Sequence, residues 1–153
     1  LYPAGIIPTV NSEFYNNDSN SWLLRVGGNF TNRKDFSDEN DNEKGGGFGA
    51  SMGYRRHYHL NNEDKIIIGL HTDLWNLWID WRDDIGAPME TAGTTYVLVL
   101  QPWIEAGYFF DLKNTSQIGI TAGFGREINI VTKGDDVAQG FIGSISLQYM
   151  FGQ

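Results

Sequence analysis

The sequence contains no cysteine and few basic residues, and each shortage excludes a class of protein. Without cysteine, neither a disulfide framework nor a thiolate metal site can form. The 11 Lys and Arg residues are outnumbered by 19 Asp and Glu residues, which gives a formal charge of −8. Neutralising phosphates requires Lys and Arg, so we expect no nucleic acid among the partners. The acidic residues concentrate in segments 35–43 and 80–90, which we interpret as solvated loops.

Long apolar runs are also absent. No run approaches the roughly 20 apolar residues that a membrane-spanning helix needs. A barrel strand crosses a bilayer in about 9–11 residues and shows its apolar face only as alternation, so the shortage does not exclude a membrane barrel. The first residue is Leu rather than Met, and we expect that a signal peptide or further N-terminal residues have been removed.

An alternation of apolar and small polar residues is the clearest positive signal, above all in the last stretch, 141–151. Phe141, Ile145, Leu147, Tyr149 and Phe151 fall on one face, whereas Gly, Ser and Gln dominate the other. Period two predicts a β-strand whose two faces meet different environments. The opposite face carries no charge, which suits a narrow wet lumen better than open water.

The same alternation recurs along the chain and predicts an all-β protein without helices. We predict six strands, at 22–30, 48–58, 65–79, 96–112, 118–131 and 141–151. Residues 1–20 are interpreted as an N-terminal arm or partial strand, because Pro8 confines a strand to an edge or an end. Residues 21–153 are interpreted as one barrel domain.

The connections between these strands alternate between long and short. We expect long loops at 31–47 and 80–93, and tight turns at Asn61-Asn62 and Lys113-Asn114. In the strand 65–79 the alternation blurs after Leu74, because the residues at 75, 77 and 79 are apolar on the polar register. A bulge between Asp73 and Asn76, or a strand end beyond the membrane, would explain this.

Alternation alone does not say which face points inward, and a soluble barrel of the lipocalin or streptavidin kind would bury the apolar face. Three observations favour the opposite arrangement: glycines on the polar face, aromatic residues at the ends of the apolar face, and short turns opposite long loops. The sequence therefore predicts an antiparallel up-and-down transmembrane β-barrel. The predicted lipid-facing residues are Leu98, Leu100, Ile104, Ile120, Ile145 and Leu147. The predicted aromatic girdle comprises Trp22, Tyr54, Tyr58, Tyr96, Tyr108, Tyr149 and Phe151.

These features resemble the small outer-membrane β-barrel proteins of Gram-negative bacteria. The resemblance covers about residues 21–153. It rests on the opening Trp22-Leu23-Leu24-Arg25-Val26-Gly27-Gly28-Asn29-Phe30, on the two tight turns and on the closing Leu147-Gln148-Tyr149-Met150-Phe151. It implies eight strands, a place in the outer membrane among lipid and lipopolysaccharide, and assembly by the barrel-insertion machinery, which reads a closing aromatic-x-aromatic signal.

Two features depart from the family pattern. The alternation predicts six strands rather than eight, and Gly152-Gln153 follow the last aromatic residue. Either the N-terminal segment supplies more of the barrel than the alternation indicates, or part of the barrel is missing or comes from another chain.

Polar side chains on the inward face form the candidate site. The predicted lumen network comprises Arg25, Arg55, His71, Asp73, Glu105 and Gln148. Because burying one charge alone costs several kcal/mol, we expect Glu105 to pair with Arg25 or Arg55, with Asp73 and His71 completing the network. The interior of a small barrel barely accommodates its own side chains, so such a network predicts a plug rather than an open channel.

The expected function is that of a non-enzymatic outer-membrane protein with a structural, surface-contact or accessory-subunit role, the last beside a larger outer-membrane protein complex. We expect no cofactor and no metal, because His57 and His59 share a face without a carboxylate fixed beside them. The alternatives are a narrow pore and a lipid-modifying barrel enzyme. Such enzymes use His with Ser or Glu at the lipid-facing outer rim, whereas His57 and His59 flank a short turn.

Overall fold

A computed structural model describes residues 5–34, 40–60, 63–112 and 115–151, together with the backbone of residues 2–3. Every regular element in these ranges is a β-strand. The strands are β1 (Tyr2–Pro3), β2 (Thr9–Asn17), β3 (Asn20–Lys34), β4 (Asn42–His59), β5 (Lys65–Asp83), β6 (Thr91–Asp111), β7 (Ser116–Lys133) and β8 (Gly140–Phe151). Within the described ranges, no helix is long and apolar enough to cross a membrane.

Strands β2 to β8 form one antiparallel up-and-down sheet, in which each strand pairs with its neighbours in sequence. The short β1 pairs in parallel with β8 at Ile142 and Gly143. Because β2 and β8 are not paired with each other, the sheet is not closed. The described residues therefore form seven antiparallel strands, where the alternation predicts six and the resemblance implies eight.

The additional strand is β2, in the segment 1–20. It pairs with β3, and just before it Ile6 and Phe30 exchange two backbone hydrogen bonds of 2.9 Å. Val10 and Phe14 lie on the outward face of β2, but Ser12 lies between them. The apolar alternation is therefore too short to predict a strand, and pairing with β3 decides the conformation.

The strands on the long-loop side extend beyond the alternating pattern. β3 continues to Lys34 and β4 begins at Asn42, so the loop expected at 31–47 is much shorter. Likewise β5 continues to Asp83 and β6 begins at Thr91. The expected loop limits are wrong because these strand ends are rich in polar residues, which carry no period-two signal. The tight turns predicted at Asn61-Asn62 and Lys113-Asn114 lie outside the described residues.

The register of the sheet is strongly staggered. A path that starts at Glu13 and steps across paired residues from β2 to β8 ends at Ile142, whose partner in β1 is Tyr2. The path thus returns to the N-terminal segment eleven residues away from its start. Stagger of this kind goes with tilted strands and a curled sheet, which separates an inner from an outer face.

Strand β5 keeps its alternation of faces along its whole length. It pairs with β4 and β6 without any register shift, so the first of the two explanations, a bulge between Asp73 and Asn76, is wrong. Trp75, Leu77 and Ile79 point into the interior and are at most 2% exposed. The pattern blurs because this part of the interior is apolar, with Val97 and Val99 of β6 packed against the same cluster.

Glycines of β4 leave the space that these large side chains occupy. Gly49, Gly47 and Gly45 stand directly opposite Trp75, Leu77 and Ile79 in the ladder. A Cβ atom added at Gly49 would lie 2.5 Å from Cε3 of Trp75 and 2.9 Å from its Cα atom. The run of glycines at 45–47, which looks like loop sequence, is thus strand sequence that complements the bulky residues of β5.

We expect Gly49→Ala to destabilise the fold, because the added methyl group collides with the Trp75 ring and backbone. Overpacking of this kind typically costs about 1–3 kcal/mol. Gly28→Ala is the matched control, since a Cβ atom there would have no neighbour closer than 3.5 Å. Urea unfolding in detergent micelles, monitored by tryptophan fluorescence, measures the unfolding midpoint of each variant. Equal midpoints for the two variants would contradict the assigned packing.

Candidate functional site

A bidentate ion pair between Arg55 of β4 and Glu105 of β6 lies at the centre of the interior. Arg55 donates from Nε to Glu105 Oε1 at 2.7 Å and from Nη2 to Oε2 at 3.2 Å. Both side chains are almost fully buried. Gln148 of β8 accepts a further hydrogen bond from Arg55 at 3.2 Å and donates to Thr121. The pair therefore connects strands from both halves of the sheet.

A second pair, Arg25 with Asp73, lies beside the first. Arg25 Nη2 donates to Asp73 Oδ1 at 2.7 Å, and Trp103 Nε1 donates to the other carboxylate oxygen at 3.0 Å. His71 lies between the two pairs, with ring nitrogens 3.7 Å from Asp73 and 3.8 Å from Glu105. Its ring stacks on Trp103. All six residues of the predicted lumen network thus occupy one layer of the interior, which we call the central network.

Glu13 of β2 belongs to the central network although sequence reasoning missed it. It accepts from Arg55 Nη1 at 3.2 Å and from the Ser21 hydroxyl, and lies 3.0 Å from Nε2 of His57. Its side chain is 5% exposed. No signal in the sequence marks Glu13, because β2 itself lacks a clear alternation. These contacts anchor the inner face of β2 to β3 and β4.

A further ion-pair cluster closes the interior on the long-loop side. Arg33 donates from Nη2 to both carboxylate oxygens of Glu127, at 2.7 and 2.9 Å, and lies 3.5 Å from Glu43. The connection 134–139 folds over this end, where Ala138 donates its N–H to Glu43 and accepts from Arg33. Sequence reasoning missed the cluster because Arg33 and Glu43 fall in the expected loop at 31–47. Buried charge is thus paired at two levels, with the apolar cluster around Trp75 in addition.

A cavity of about 1410 Å³ lies between the two free edges of the sheet. Its walls include consecutive residues of the N-terminal segment, 5–13, and of β8, 143–151. Arg25, Arg55, Asp73 and Glu105 line it from within, so the central network borders the gap between β2 and β8. The polar groups at this wall carry charges of both signs, and these charges already pair with one another.

The predicted lipid-facing and girdle residues all lie on the outer face of the sheet. Ile145, Leu147 and Phe151 are 79–85% exposed, whereas Leu98 and Leu100 are half-buried. The predicted girdle residues are exposed or half-buried, and some form ring contacts, such as Trp22 with Tyr54 at 5.2 Å. The predicted lipid-facing and girdle residues therefore share the outer face, opposite the central network.

One cluster has the composition of a hydrolytic triad. The Ser21 hydroxyl lies 2.7 Å from Nε2 of His57, and Glu13 lies 3.0 Å from the same nitrogen. In a Ser-His-acid triad the carboxylate binds the other ring nitrogen and orients the imidazole for proton transfer. Ser21 is fully buried, so the arrangement suits a structural hydrogen-bond network. Among the described residues, no group of three or more His, Asp or Glu side chains could hold a metal ion.

Comparison of the chain with family models, curated proteins and solved structures finds no match. The functional argument therefore rests on the geometry of the two faces and of the interior.

We expect Glu105→Ala to destabilise the protein strongly, because it leaves Arg55 without its bidentate partner in the interior. Breaking a buried pair from one side costs about 3–5 kcal/mol, and the remaining contact with Glu13 places this case at the lower end. Glu90→Ala is the matched control, because it removes an exposed pair with Arg82. Urea midpoints in micelles should fall only for Glu105→Ala, and an unchanged midpoint for that variant would contradict the pairing.

Proposed function

We propose that this chain is a non-enzymatic outer-membrane β-barrel protein whose interior is plugged by paired charges. The observation that carries the proposal is the inverted polarity of the sheet. Glu105 is 4% exposed on the inner face, whereas Leu147 of β8 is 79% exposed on the outer face. A soluble barrel would bury the apolar residues and expose the charged ones. Contiguous apolar surface of this extent is rare on monomeric soluble proteins.

The height of the apolar band supports the membrane proposal. On β6 the outward residues from Tyr96 to Tyr108 are apolar or aromatic along twelve residue steps. At about 3.4 Å per step and a tilt of about 45°, this stretch spans roughly 29 Å along the barrel axis. The hydrocarbon core of a typical bilayer is about 30 Å thick. The band therefore fits one bilayer, with aromatic residues at both of its ends.

Two other functions receive less support. A narrow pore needs a continuous polar path, whereas Trp75, Leu77 and Ile79 fill part of the interior and the connection 134–139 covers one end. A lipid-modifying enzyme needs reactive groups that open sideways to lipid on the long-loop side. The Glu13, Ser21 and His57 cluster lies instead near the turn between β2 and β3 and is buried.

The proposed location is the outer membrane, with lipid and lipopolysaccharide around the apolar band. In this proposal the barrel-insertion machinery reads Tyr149 and Phe151 at the end of β8. The acidic loops face away from the membrane and offer surface contacts, and the protein serves a structural role or that of an accessory subunit in a larger outer-membrane complex.

We expect Ile104→Arg to impair membrane insertion. Ile104 is 59% exposed on the outer face, near the middle of the apolar band. A charged residue at the midplane of a barrel's lipid face costs about 2–4 kcal/mol. Met89→Arg is the matched control, because Met89 is 81% exposed in the connection between β5 and β6. Heat-modifiable gel migration after refolding into vesicles measures the inserted fraction, and equal insertion of both variants would contradict the face assignment.

The plugged interior predicts that the reconstituted protein gives no stable conductance steps in planar bilayers. Stepwise currents that persist at high salt would favour the narrow pore instead.

A further inference from the structure

The gap between β2 and β8 leaves backbone groups without strand partners. Among the described residues, those from Ser144 to Phe151 of β8 pair only with β7, and those of β2 pair only with β3. Every second residue of each edge therefore directs its N–H and C=O groups into the gap. Unpaired edges attract further strands, and in hydrocarbon an unsatisfied backbone group is especially costly. The gap thus calls for a partner that offers backbone hydrogen bonds.

The direction of the two edges restricts that partner. Because the sheet has seven antiparallel strands, β2 and β8 run in the same direction. Direct closure would need a parallel ladder, of which the described residues of β1 form two pairs, Tyr2 with Ile142 and Pro3 with Gly143. At Gly5, with φ of 103°, the chain leaves β8, and Ile6 already pairs with Phe30 of β3. One strand running in the opposite direction would pair antiparallel with both edges.

We infer that the gap between β2 and β8 accepts one extended strand of a second polypeptide, which runs antiparallel to both edges and completes the sheet. This inference rests on the proposed function, since it gives the accessory-subunit role a defined contact. Backbone hydrogen bonds along eight residues of β8 provide the affinity, in the manner of other strand-addition complexes.

Side chains at the gap define the chemistry of the incoming strand. Its inward residues would lie beside Ser144, Ser146 and Gln148 of β8, which are small or polar. Its outward residues would lie beside Ile145 and Leu147, which are highly exposed. The partner strand therefore alternates small polar residues with aliphatic ones, so that it continues both faces of the sheet.

A second copy of this chain does not fit the same role. Its free edges are again β2 and β8, and both run in the same direction as the edges they would meet when the two copies share one membrane orientation. Such contacts could form only parallel ladders. The described edges of a second copy therefore do not supply the incoming strand.

Cysteine coupling in micelles tests the site, because the chain has no cysteine of its own. The probe is a synthetic peptide of about nine residues, the length of a barrel strand, that alternates Leu or Val with Ser or Gln. An activated cysteine at its N-terminus should couple to Met150→Cys, and one at its C-terminus should couple to Ser144→Cys. The reverse combinations should react slowly, because they require a parallel strand. Ala122→Cys, on the doubly paired β7, is the control position.

A peptide with alternate N-methylated amides controls for apolar adsorption, since it keeps every side chain but loses backbone donors. We expect it to couple about tenfold more slowly or worse. Equal rates for the two peptides, or equal coupling at Ala122→Cys, would overturn the inference. So would a disulfide that forms without peptide, either between Asn11→Cys and Met150→Cys within one chain or between two copies of Met150→Cys. If no peptide couples at Met150→Cys or Ser144→Cys, the inference is wrong. If Ile104→Arg nevertheless inserts poorly and Met89→Arg inserts normally, the membrane proposal still stands.

Discussion

The buried ion pair between Arg55 and Glu105 is the constraint on which the rest of the structure depends. Two charges removed from water are tolerated only when they meet each other with good geometry and their remaining hydrogen-bonding groups find partners. Here those partners are Glu13 of β2 and Gln148 of β8, which accept hydrogen bonds from Arg55. A flat sheet could not bring these strands together around one guanidinium group, so the network and the curl of the sheet require each other.

Complementary side-chain volumes fill the remainder of the interior. The glycines of β4 stand opposite the large residues of β5, so a narrow interior holds Trp75 without displacing backbone. The interior therefore contains an apolar layer around Trp75 in addition to the charged layer of the central network. The connection 134–139 covers the long-loop end of the interior through its contacts with Arg33 and Glu43.

The odd number of antiparallel strands accounts for the gap between β2 and β8. Seven antiparallel strands leave two edges that run in the same direction, and Gly5 turns the chain from one edge to the other within a few residues. Edge strands are commonly protected by charge, proline or a covering segment. The outward residues of β8, such as Ile145, are apolar and exposed, so they offer little such protection. The gap between β2 and β8 is therefore the part of the sheet that most needs a covering partner.

The sequence by itself determined the strand class, the alternation of faces and six residues of the central network, though not Glu13, because period two assigns each side chain to one face. It also indicated that Glu105 needs an arginine, since charge burial must be compensated. Only the tertiary structure decided which arginine Glu105 meets, because the stagger of the strands sets how far along the interior each side chain lies. Tertiary pairing likewise decided the strand β2, the strand ends at Lys34 and Asn42, and the cluster of Arg33 with Glu127. These depend on contacts between distant segments, which local periodicity does not encode.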